Sequence, residues 1–224
     1  MHVEPPKGPI LSVKEFGFHY LMIVLSILTA LGLEEALRYH HDKDSARAAE
    51  ESIERELRSN LADLREAIKG NRERMAEMNA LGDQVAAAIR QGGNPADLQK
   101  KVMAELLPKF TVGLLLPSQS REAWDVAVAS QAATHIPREK LVAYTAAYTI
   151  ERDAMAGANS GMMMLDAPRM TEMKAESEIG QIEPRRLLVM ARQSAAVNAT
   201  GVGNLIAGEQ EMVKALDKAG IHAD

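Results

Sequence analysis

The side chains able to ligate, titrate or attack fall into a few groups in this 224-residue chain. His40, His41 and Asp44 are metal ligands by type. Adjacent histidines on a helix point about 100° apart, so only His40 and Asp44, at i and i+4, share a face. Two ligands without a third predict solvated rings, not a metal site. Met155, Met162, Met163, Met164, Met170 and Met173 are soft thioethers of the kind that bind copper(I). Consecutive methionines diverge around a helix, so the run reads as adaptable packing. Asp125, Ser130 and His135 supply acid, nucleophile and base types. A triad also needs a strained turn at the serine and an oxyanion hole, and neither is signalled. Glu50, Glu51, Glu54 and Glu56 alternate with arginines, the pattern of a solvated helix face. Asn198-Ala-Thr200 matches the glycosylation sequon but falls in a helical stretch. The chain has no cysteine, which removes disulfides, thiolate ligands and cysteine nucleophiles together. These residues predict no catalytic, metal or cofactor site, and so a non-enzymatic protein.

Trp124, Tyr144 and Tyr148 are the only tryptophan and two of four tyrosines, and they fall on neighbouring helical segments. They are expected to pack as the centre of a helical domain, with Trp124 buried, or else to line a pocket between helices.

The elements that must position these groups begin with the solvent they live in. Residues 16–33, FGFHYLMIVLSILTALGL, carry no formal charge and are bounded by Lys14-Glu15 and Glu34-Glu35. As a helix they span about 27 Å, near the thickness of a bilayer's hydrocarbon core. The run is longer than a secretory signal's apolar region and leads into Leu33-Glu-Glu-Ala-Leu37, with at best a poor small-x-small match at Thr29-Ala30-Leu31-Gly32. The expectation is a retained signal-anchor at residues 16–37 after a tail of residues 1–15. Lys7 and Lys14 on one side roughly balance Arg38 and Lys43 on the other. The larger C-terminal part is expected in the periplasm, on a single pass through a bacterial inner membrane.

Beyond the anchor, aromatic residues are scarce, at 4%, which favours helix over sheet. Residues 38–91 read as one long amphipathic, coiled-coil-like helix, with a kink or break expected at Lys69-Gly70-Asn71. Its heptad seam runs Leu57, Leu61, Leu64, Ile68, Asn71, Met75, Met78, Gly82, Val85 and Ile89. An Asn on such a seam sets register, so Leu57, Leu61, Leu64, Ile68 and Asn71 form a surface on which two copies could pair as a weak homodimer. The alternative cover is the chain's own later helices. Residues 92–224 read as a helical bundle packing back on the long helix, and the fold class is all-α. A helix starts at Pro95 under an Asn94 cap and runs to about residue 107. The apolar stretch 111–116 is a short strand or a buried connector. Ser118 or Ser120 caps a helix through Trp124 to about residue 134, and Pro137 opens the next. That helix is interrupted near Gly157–Gly161, and the last helix runs over 185–218.

Two pieces of the chain carry a resemblance. One is Leu31-Gly-Leu-Glu-Glu-Ala-Leu37, His40-His41 and Ile53-Glu-Arg-Glu-Leu57-Arg-Ser-Asn60-Leu61. The other is Ala123-Trp124-Asp-x-Ala127-x-x-Ser130 with Pro137, Leu141, Tyr144 and Tyr148. Together they resemble a group of uncharacterised bacterial single-pass membrane-anchored helical proteins. The resemblance implies the anchored helical fold and brings no catalytic residues. The functional expectation is a membrane-anchored scaffold or protein-interaction module, with the lipid bilayer and another protein as partners. A ligand-sensing bundle acting through a partner protein is the alternative. A formal charge of −5 supplies no electrostatic reason to bind nucleic acid.

Overall fold

The computed structural model describes residues 13–92, 94–162 and 167–222; Met163 and Met164 of the methionine run lie outside them. Every regular element among the described residues is helical, with no strand. Helix α1, Val13–Gln91, is unbroken for 79 residues. No proline lies between Pro9 and Pro95 to interrupt it, and Arg38–Glu34, Arg47–Glu51 and Arg58–Glu54 pair one turn apart on its surface. The helix does not break at Gly70. Asn94 caps the short α2, Pro95–Lys101, which loosens into a wide turn over Val102–Leu106 and a tight one over Leu107–Lys109. Residues 110–121 form an extended strap. Helix α3, Glu122–Ala129, is followed by α4, Arg138–Met162, α5, Ala167–Glu178, and α6, Pro184–Lys218.

Two departures from the sequence expectations have local causes. Helix α3 stops at Ala129 because Gln131 adopts a left-handed conformation that starts a separate tight turn, Ala132–His135. Helix α4 does not break at Gly157, whose carbonyl accepts a bond from Asn204 Nδ2 of α6 at 2.8 Å.

Helix α6 lies antiparallel along α1. Arg65 meets Glu209 at 2.8 Å, while Arg192 meets Asp83 and Asn79 near the other end. Helix α4 packs on α6 and runs parallel to α1, with Lys140 beside Glu50 and Glu151 beside Asn60. The first core gathers Ile53, Leu57, Leu61 and Leu64 of α1 with Tyr144, Leu205, Met212 and Leu216. The second core, further along α1, gathers Met78, Leu81 and Val85 with Val102, Leu106, Ile182, Leu187 and Met190. Each such side chain contributes about 1.5–3 kcal/mol by leaving water.

The seam proposed for pairing two copies is therefore covered from within. Leu57, Leu61, Leu64, Ile68 and Asn71 are all buried against the chain's own strap and helices. Met75 is only partly buried, Ile89 is exposed, and the Arg192 side chain lies over Gly82.

Asn71 holds the strap, not a second Asn71. Its Nδ2 donates to the Leu115 carbonyl at 2.7 Å and its Oδ1 accepts from the Leu115 N–H at 2.7 Å. Asn60 does the same to Ser120, at 2.8 and 3.2 Å. Eleven residues of helix rise about 16.5 Å, and five residues of extended chain cover about the same. The two asparagines thus match the strap's length, and Leu114 and Leu115 fit where Gly201 and Gly70 present no side chain. Residues 111–116 are accordingly a connector bonded to side chains and not a strand.

Replacing Asn71 by Leu leaves the Leu115 amide and carbonyl without these partners, and should destabilise the chain by about 2–4 kcal/mol in a denaturant melt. Tighter self-association of that variant with unchanged stability would instead mark the seam as an interface between copies.

Candidate functional site

One face of α4 carries Lys140, Tyr144, Tyr148 and Glu151, spaced about one helical turn apart. Because α4 runs parallel to α1, this row meets a matching row of Glu50, Glu54, Glu56 and Asn60. Lys140 Nζ donates to Glu50 at 2.6 Å and to Glu54 at 3.3 Å. The Tyr144 hydroxyl donates to Glu54 at 2.9 Å, and Arg58 approaches the same carboxylate from its own helix. The Tyr148 hydroxyl donates to Glu56 at 2.5 Å. Bonding to Glu50 holds the Lys140 ammonium above the usual lysine range. Burial, and then the bonds to Glu54 and Glu56, hold both phenols above theirs.

Glu56 is the hub that joins these helices to α3. It accepts the Ser120 hydroxyl at 2.7 Å and the Ala123 N–H at 3.0 Å. Neither Ser118 nor Ser120 caps α3. Arg121 occupies the cap position without a side-chain bond, and a carboxylate from α1 satisfies the first turn's N–H. Burial alone would raise the Glu56 pKa, but the donors from Ala123, Tyr148 and Ser120 outweigh it and hold the group below the ordinary 4.5.

Glu151 is the opposite case. It is 3% exposed, its Oε2 accepts one bond from the neutral Asn60 amide at 3.0 Å, and its Oε1 is buried without a hydrogen-bond partner. Burial, opposed only by that bond and reinforced by the negative charges of Glu56 and Asp63, pushes its carboxyl up to about 7.

The three aromatic residues come together differently from the sequence expectation. Tyr144 and Tyr148 are buried, but Trp124 is only partly buried at the edge of the first core. Its ring lies 5.8 Å from that of Tyr148 at an interplanar angle of 56°. Helix α3 has eight residues and lies on the flank of α1, too short to carry the indole into the centre. The cavity in this region is a groove of about 570 Å³ between α1 and α3. His41, Ser45, Ser52, Ala123, Val126 and Ala127 line it, and the aromatic trio does not.

The carboxylates read as a solvated face are the largest correction. Only Glu51 stays outside, paired with Arg47. Glu50, Glu54 and Glu56 turn toward α4 or the strap. The signal available in the sequence was the row Lys140, Tyr144, Tyr148 and Glu151, a polar stripe that requires an acceptor stripe opposite. The Asp125, Ser130 and His135 set is not assembled. Asp125 pairs with Arg121, the Ser130 hydroxyl donates to the Val126 carbonyl, and His135 lies 3.7 Å from Asp42. His40 stacks edge-on to Tyr39. Asn198 is buried and so is closed to glycosylation in the folded chain.

The two carboxyls give opposite pH dependences. Glu56, with its lowered pKa, contributes stability that is present above about pH 4.5 and lost as pH falls. Glu151, with its raised pKa, contributes stability that is full below 4.5 and lost as pH rises to about 7. Thermal melts should therefore be highest in weak acid and decline toward neutrality. In the same melts Trp124→Ala should cost about 1–3 kcal/mol, less than a fully buried indole would.

No protein family, curated protein or solved structure was found to match this chain.

Proposed function

We propose that the chain is a single-pass membrane protein whose N-terminal helix anchors a non-enzymatic helical scaffold or protein-interaction module. The observation that carries this reading is the first part of α1. An 18-residue apolar window near the N-terminus has none of its residues buried, and Phe16, Phe18, Leu21, Ile23, Leu25, Leu28 and Leu33 are all more than half exposed. A continuous apolar surface on every side of a helix requires a nonpolar environment, and a bilayer supplies one of the right thickness. Within the apolar stretch the Ser26 and Thr29 hydroxyls each donate back to a carbonyl of their own helix, as suits a lipid setting. The body is assigned to the periplasmic side of a bacterial inner membrane. The resemblance noted in the anchor and in the Trp124 segment supports the anchored helical fold.

The non-enzymatic reading rests on the polar side chains, which bond to one another and to the strap instead of converging on a cleft. Self-association, with the Leu57 to Asn71 seam already covered, falls to the anchor, where Ser26 and Ala30 allow close helix contact. The groove between α1 and α3 favours a second reading, a ligand-sensing bundle that signals through a partner protein.

Membrane extraction tests the anchor. The full chain should stay in the membrane pellet through an alkaline carbonate wash and leave it only with detergent. A chain lacking residues 1–33 should be soluble and folded. Release of the full chain by carbonate would overturn the reading.

A further inference from the structure

Glu56 and Glu151 reach the same small region from opposite helices, and both depend on what lies between them. Asn60 Nδ2 serves Glu151 Oε2 and the Ser120 carbonyl, while Asn60 Oδ1 holds the Ser120 N–H. Glu56 holds the Ser120 hydroxyl and the Ala123 N–H. The start of α3 is thus fastened by side chains of α1, within one connected set of bonds that includes Glu151.

The surroundings of Glu151 offer little to a second negative charge. The charged groups acting on it from α1 are Glu56 and Asp63, both acidic. On α4, Tyr148 already donates to Glu56, and Arg152 pairs with Asp153. At the end of the strap Arg121 pairs with Asp125, and on α6 Glu209 pairs with Arg65. Oε1 of Glu151 is buried with no hydrogen-bond partner, which is tolerable for a neutral carboxyl and costly for a carboxylate.

When the proton leaves for solvent, the new charge must reach water. Helix α4 is held along its length by α6, whereas eight-residue α3 is held at its start through Ser120 and Ala123 and further along by Ala127, its single buried residue. The weaker attachment yields first. Ala123 and Ala127 of α3 line the groove against His41, Ser45 and Ser52 of α1, so movement of α3 changes the groove's width.

We propose that Glu151 is a proton-operated latch: protonated, it keeps the Ser120–Ala123 turn seated on Glu56 and Asn60, and ionised, it releases that turn and opens the groove between α1 and α3. The body would then present a different surface in acid and in alkali, whichever side of the membrane it occupies.

Trp124, the only tryptophan, sits on the moving element and touches Tyr148, so it reports the latch directly. In the full chain in detergent, its emission should titrate with a midpoint near neutrality, and Glu151→Gln should abolish the change. His41→Gln and His135→Gln should retain it, since the transition is assigned to the carboxyl. Hydrogen exchange of the wild type supplies a check independent of any variant's folding. Peptides covering 118–129 should lose protection between weak acid and weak alkali, after correction for intrinsic rates, while α6 keeps its own. A titration that persists in Glu151→Gln, that vanishes with either histidine, or that leaves protection at 118–129 unchanged would overturn the latch.

Discussion

The length match between α1 and the strap is the constraint on which the rest depends. Asn60 and Asn71 each hold both polar groups of one backbone residue, three helical turns apart on α1 and five residues apart on the strap. That match exists only if α1 is straight and continuous between them. A kink at Gly70 would shift one amide relative to the other and leave backbone groups unbonded. Gly70 serves instead as the place where Leu115 rests, with Gly201 of α6 doing the same for Leu114. The strap is therefore clamped by bonds to α1 and by contacts to both long helices, and its end delivers Ser120 and Ala123 to Glu56.

The body divides energetically along α1. The first core is built from α1, α4 and α6 with Ala127 of α3 and the turn that follows it, and the second from α1, α6 and the shorter elements around α2 and α5. Between them lie Asn71, Ser194, which donates to the Thr111 carbonyl, and Asn198. Asn71 and Ser194 both bond backbone groups of the strap, and the Asn71 amide finds both its partners in one alignment only, which fixes the strap's register at some expense in stability. The carboxylate and tyrosine rows sit at the edge of the first core, where partial burial strengthens them without removing all contact with water.

The same helix carries the apolar N-terminal segment, one wall of the groove and half of the polar network. An unbroken helix transmits orientation along its length, so any surface that holds the first part of α1 also orients the groove and α3. On the anchored reading, this places the groove a short distance beyond the membrane, on the flank of the rod that emerges from it.

Much of the architecture was legible in the residues themselves. The charge-free stretch 16–33, the absence of proline between Pro9 and Pro95, the Asn94 cap and the bounds of α6 are local properties, and they yield the helices without reference to partners. The apolar seam likewise announced that α1 needs cover. Periodicity says that a face must be buried but not by what. Only the tertiary structure decided that Leu57, Leu61, Leu64, Ile68 and Asn71 are covered by the chain's own strap and helices. The site was hidden for the same reason. Glu54 and Glu56 look like members of a solvated i,i+4 face until Tyr144, Tyr148 and Ala123, some 70 to 90 residues distant, turn toward them. Trp124 looks like a core residue until α3 proves too short and too peripheral to bury it. Local patterns are set by the geometry of one helix, whereas the environment of a carboxylate or an indole is set by whichever distant segment packs against it.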